Sequence, residues 1–137
     1  MIRRQDWPEK LSEYILSRAK MPFEWGSNDC GTFFADGVIQ MTDEDPIADI
    51  RGKWTDAMSA ARFIASEGGL EALLSARFQK IYGVLFAQRG DAGLVTLDDR
   101  EFIAICTGSH WAAPGPEQMA LLKLDRARVA FAVARLI

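Results

Sequence analysis

Phe23-Glu24-Trp25-Gly26-Ser27-Asn28-Asp29-Cys30, continuing into Gly31-Thr32-Phe33-Phe34-Ala35-Asp36, passes from a polar, glycine-containing loop into an apolar helical pattern. Ser27, Asn28 and Asp29 are all residue types that cap helices, so a helix is expected to start within a residue of Cys30. A thiol in the first helical turn meets unpaired backbone N–H groups and the positive end of the macrodipole, and both favour the thiolate nucleophile. The competing reading is a small buried hydrophobe, the usual role of a free cysteine. The helix is expected to run to about Met41. Phe33, Phe34, Gly37, Val38 and Met41 line one side, and Thr32, Asp36 and Gln40 are the exposed positions. Cys30, Phe34 and Gly37 share a face, which places the thiol on or beside the buried side.

Working outward, Asp6 is expected to cap an earlier helix with Trp7 and Pro8 in its first turn and Leu11, Tyr14, Ile15 and Ala19 on its apolar face. Met21-Pro22 ends it. Thr42-Asp43-Glu44-Asp45-Pro46 is acidic but lacks the ligand spacing and central glycine of a calcium loop, and reads as a solvated turn. Thr55 is expected to cap a helix over Ala57 to Ala65, Gly68-Gly69 to stop it, and Leu70, Leu73, Leu74 and Phe78 to form one more short stripe.

After Phe78 the period changes. The span Lys80 to Gln88 has no clear assignment, and Arg89-Gly90-Asp91 reads as a turn. Leu94–Leu97, Phe102–Cys106, His110–Ala113, Met119–Leu124 and Val129–Val133 read as strands, with Gly108-Ser109 as a two-residue hairpin. Leu124 to Leu136 also admits a helical reading. Helices over residues 1–78 followed by strands over 79–137 make one α+β domain, with the cysteine-bearing helix packed on an antiparallel sheet.

Composition narrows the function classes. The chain has 137 residues, 49% apolar and 26% charged, with a net charge of −3 and no basic stripe, which argues against nucleic-acid binding. The single histidine and the two distant cysteines, Cys30 and Cys106, fit neither a metal site nor a disulfide framework, and nothing implies a cofactor. No apolar run would span a membrane and no signal-peptide stretch opens the chain, so synthesis in the cytoplasm is expected, with assembly into a particle as a route out. Trp54, Trp111 and Phe131 are either core residues or partner-facing anchors.

The order of landmarks resembles the NlpC-type cell-wall endopeptidases, a papain-like superfamily of cysteine hydrolases. The match consists of Phe23, Trp25-Gly26 and Asp29-Cys30, then the Gly90-Asp91 turn with Leu94-Val95, then Phe102-Ile103-Ala104-Ile105-Cys106 with Gly108. It covers about Phe23 to Pro114. The first helix and Gly68-Gly69-Leu70 are similar to short phage and prophage members whose genes lie among those for tail components.

The resemblance implies Cys30 as nucleophile and a cleft near Trp25, Asp29 and Phe102. It also implies three departures: Phe102 stands where the family has its base histidine, Pro114 near the orienting polar residue, and Phe23 near an oxyanion-binding tyrosine. His110 is the one imidazole that could serve as a displaced base. Without a base, a thiol of pKa ~8.5 is only a few per cent ionised at neutral pH. Two expectations follow. One is a non-catalytic structural or binding module, a pseudoenzyme of a phage tail tip. The other is an endopeptidase or amidase that cleaves peptidoglycan stem peptides with Cys30 and His110.

Overall fold

The computed structural model describes residues 1–135. Four helices precede a six-stranded antiparallel sheet: α1 (Trp7–Arg18), α2 (Cys30–Thr42), α3 (Ala57–Ser66) and α4 (Leu70–Ser75), then β1 (Gln79–Lys80), β2 (Ala92–Leu97), β3 (Arg100–Cys106), β4 (His110–Pro114), β5 (Met119–Lys123) and β6 (Ala127–Ala132). The strand order is β1-β6-β2-β3-β4-β5. The mixed α+β class, with helices first and strands after, is the one expected from the period change near Phe78.

α2 lies against β3 and β4. Phe33, Phe34, Val38 and Met41 meet Leu94, Ile105 and Phe131 from the sheet and Leu11 and Tyr14 from α1 in the main core. The other sheet face carries a second cluster built round Trp111, Val95, Ala104 and Cys106. A third joins Ala35, Ile47, Ile50, Trp54, Ala60 and Leu73 where α3 and α4 pack beside α2. Trp54, Trp111 and Phe131 are all buried in these clusters, so they are core residues.

The helix starts show which local rules win. Asp29 and Thr32 form a reciprocal capping box, so Thr32, expected at the surface, is buried because its hydroxyl accepts from the Asp29 N–H. The same device at α3 uses Asp56 and Ser59, one residue later than the expected Thr55 cap. Asp6 sits at the start of α1 without a capping bond, because Arg4 holds its carboxylate with bonds of 2.8 and 3.1 Å.

In the strand half, Asp98 and Asp99 both have positive φ and close β2 onto β3, as a type I′ turn requires. The uncertain span resolves into β1 and a 3-10 turn, Val84–Phe86. Residues 124–126 form a second 3-10 turn and 127–132 a strand, which corrects the helical reading there; Leu136, its last residue, lies outside the described residues. Apolar Ala127, Val129, Ala130 and Phe131 sit between β1 and β2, and that pairing outweighs helix propensity.

Gly93 is fixed by packing. A Cβ there would stand 2.6 Å from the Trp111 ring, whose atoms are fully buried and have nowhere to move. Gly93→Ala is expected to cost about 1–3 kcal/mol through overpacking, read as a lower urea midpoint at unchanged m-value.

Candidate functional site

Cys30 is the first residue of α2, and the loop before it is held by Asp29. One Asp29 carboxylate oxygen accepts from the Thr32 N–H at 2.9 Å, and the other accepts from the Gly26 N–H and the Trp54 indole N–H, each at 2.8 Å. Asn28, also buried, donates to the Pro22 carbonyl and accepts from Arg18. The loop, α2 and the connector before α3 are thereby locked together round the thiol. Asp29 is fully engaged as cap and clamp.

Cys30 keeps part of its residue surface half-buried, yet its thiol is pushed up to about 11. Burial is the main cause. The Ile103 backbone beside the sulfur pulls the other way, the Asp29 charge raises the pKa further, and the Gly31 and Cys30 backbone groups lower it. The expected benefit of the helix start is present, but desolvation outweighs it. At pH 7 such a thiol is thiolate in roughly one molecule in ten thousand.

The strand side chain that faces Cys30 is Ile103. It lines the same apolar cavity as Cys30 and belongs to the core on the α2 face of the sheet. Phe102, expected in the cleft, packs against the second cluster on the opposite face, because successive strand residues point to opposite sides. This corrects its placement: Phe102 points away from the thiol, and the β3 residue that lines the cavity with Cys30 is Ile103.

His110 is not brought to the thiol. It opens β4, pairs with Lys123, is exposed, and its Nδ1 lies 3.0 Å from the Ser109 hydroxyl. Its carbonyl accepts from the Thr107 N–H across the hairpin. Thr107 is four residues beyond Ile103 along the β3 direction, roughly 13 Å at strand rise. Pro114 closes the other end of β4, and Phe23 packs edge-on against Trp25 at 4.7 Å.

The cavity at the thiol has a volume of about 70 Å³. Trp25, Phe63, Ile64 and Leu70 stand at its partly exposed rim, with Phe34 and Ile103 deeper in. Trp25 and Asp29 are among the residues that line it. Sequence reasoning missed the contributions of α3 and α4, whose apolar stripes read equally well as core. Among the described residues no cluster of His, Cys, Asp or Glu could hold a metal, and no helix is long and apolar enough to cross a membrane.

Comparison with protein families matches residues 2–133 to a domain of unknown function (DUF6950). The chain belongs to the DUF6950 family. No curated protein matches it. The DUF6950 match takes in all six strands, the four helices, the capped loop and the cavity.

Proposed function

We propose that this DUF6950 domain is a papain-like, NlpC-type module without hydrolase chemistry, serving as a structural or binding component of a phage or prophage tail. The observation that carries the non-catalytic part is the surroundings of Cys30: an isoleucine beside the sulfur and a thiol raised to about 11 by burial. Nucleophilic catalysis needs an activated thiolate and a group that returns a proton to the leaving amine. The cysteine-led helix packed on an antiparallel sheet supports the papain-like reading. The tail setting rests on the resemblance of the first helix and Gly68-Gly69-Leu70 to phage-borne relatives.

The catalytic alternative needs His110, exposed at the hairpin that follows β3, to reach a sulfur whose neighbour on that strand is Ile103. The test is direct. Incubated with peptidoglycan stem peptides, the purified chain is expected to release no more product than Cys30→Ala. Turnover that disappears in Cys30→Ala would overturn the non-catalytic reading.

A further inference from the structure

We propose that the apolar ridge Tyr82–Phe86, next to the outermost strand β1, pairs two copies of this chain about a two-fold axis. A period of three builds the ridge. Ile81, Val84 and Ala87 turn inward and pack on the cluster round Trp111, which leaves Tyr82, Leu85 and Phe86 turned outward. Those three keep 96%, 87% and 69% of their surface in solvent. Backbone bonds hold the pose: the Ile81 N–H donates to the Ala130 carbonyl at 2.9 Å, and Arg135 donates to the Phe86 carbonyl. Other exposed large apolar residues, Leu16, Met58 and Leu121, stand on α1, α3 and β5, whereas here three fall within five residues.

Area and charge decide the occupant. At ~150–250 Å² per large side chain the three expose on the order of 500 Å², in the upper part of the ~300–600 Å² range for a monomer's largest apolar patch. Two such ridges face to face cover on the order of 1,000 Å², where specific interfaces begin. A two-fold contact sets each rim against the same rim, so it is favourable only where that rim carries no net charge. Lys80 and Arg128, which line the depression beside Tyr82, pair with Glu71 and Glu101, and Arg135 pairs with Asp91. On the other side the 3-10 turn at residues 124–126 brings Asp125 and Arg126, of opposite sign. A second copy therefore meets no like-charge penalty. The same pairing leaves these cations little to offer anionic headgroups. Ile81 faces β6, so strand alternation points the Lys80 backbone N–H and C=O toward the open sheet edge, a further site for the copy.

Sedimentation equilibrium on the full chain is the test. The unaltered chain is expected to pass from monomer to dimer with a micromolar midpoint, as suits an interface at the small end of the scale, and to stop there. Leu85→Asp should raise that midpoint at least about 10-fold, because it sets an unpaired carboxylate in the contact on both copies. Leu121→Asp, on the opposite edge strand β5, should leave it unchanged. Both positions are exposed, so neither change removes a core contact. A second reading needs no variant: the Val84 and Leu85 methyl signals should move with protein concentration while that of Leu121 stays still.

A chain that stays monomeric up to ~1 mM would overturn the proposal. So would growth beyond two copies, or a midpoint that moves in Leu121→Asp and not in Leu85→Asp. Vesicles of phosphatidylcholine and phosphatidylglycerol that carry down a monomeric chain, and release it in Leu85→Asp, would assign the ridge to lipid and overturn the proposal too. None of these outcomes depends on Cys30, so self-association and the absence of hydrolysis stand or fall separately.

Discussion

Asp91→Ala is expected to lower the unfolding free energy by about 3–5 kcal/mol, the range for removing one partner of a buried ion pair. Asp91 is fully buried at the start of β2. Its carboxylate accepts from Arg135 Nε at 2.9 Å, from Arg3 at 3.3 Å, and from the backbone N–H groups of Gln88 and Val133 at 2.7 and 3.2 Å. One side chain thus joins residue 3, the turn before β2 and the segment after β6. Burial already pulls the Arg3 guanidinium below its usual value, and Asp91 is the charge that opposes this. Removing it leaves two mostly buried guanidinium groups without their counter-charge and two backbone donors without their acceptor. Against a total stability of ~5–15 kcal/mol, the loss brings the domain close to unfolding. Urea denaturation reads it. Arg128→Ala, which breaks exposed pairs with Glu71 and Glu101, is the control and should cost under about 1 kcal/mol. A cost for Asp91→Ala as small as that of the control would refute the account of the buried cluster.

Asp29→Ala is expected to cost about 3–4 kcal/mol. Losing a helix cap accounts for ~0.5–2 kcal/mol. The buried Trp54 indole N–H and the Gly26 N–H then lose their acceptor, at ~1–3 kcal/mol for each group that finds no water. The sum falls short of simple addition because the three bonds share one carboxylate and relax together. Thermal unfolding gives the magnitude, and the Trp54 indole signal gives the cause, since it should move on substitution. The variant should also alkylate faster at Cys30, because the clamp that holds the loop over the thiol is gone. Full stability with an unmoved indole signal would show that Asp29 caps nothing of consequence.

Much of this architecture is written locally. Asp29 followed by Cys30 and an apolar 3.6-residue pattern gives α2 to within a residue, and Gly68-Gly69 stops α3 because both glycines adopt positive φ. Other features depend on which neighbour wins. Thr32 looked exposed because a capping box is usually signalled by Glu or Gln at that position, and here threonine does the job. Thr55 and Asp56 are both cap types, Asp the stronger, and Asp56 is the one that reaches the Ser59 N–H.

The phase of β3 was not legible. Phe102-Ile103-Ala104-Ile105-Cys106 is apolar throughout because both sheet faces are covered, so alternation could not say which residues look toward α2. Phe102, expected in the cleft, packs instead on the face away from Cys30. The Asp91 cluster and the cavity were invisible for a different reason. Arg3 and Arg135 meet Asp91 from opposite ends of the sequence, and the cavity is a gap between helices that each look like ordinary core elements.

The central claim, that the helix-leading thiol is unactivated, is tested most directly by the pH dependence of Cys30 alkylation in a Cys106→Ala chain, with and without His110→Ala. An inflection near 11 that is the same in both chains is predicted. An inflection below ~8.5 that rises when His110 is removed would mean a working thiol–imidazole pair, and would contradict it.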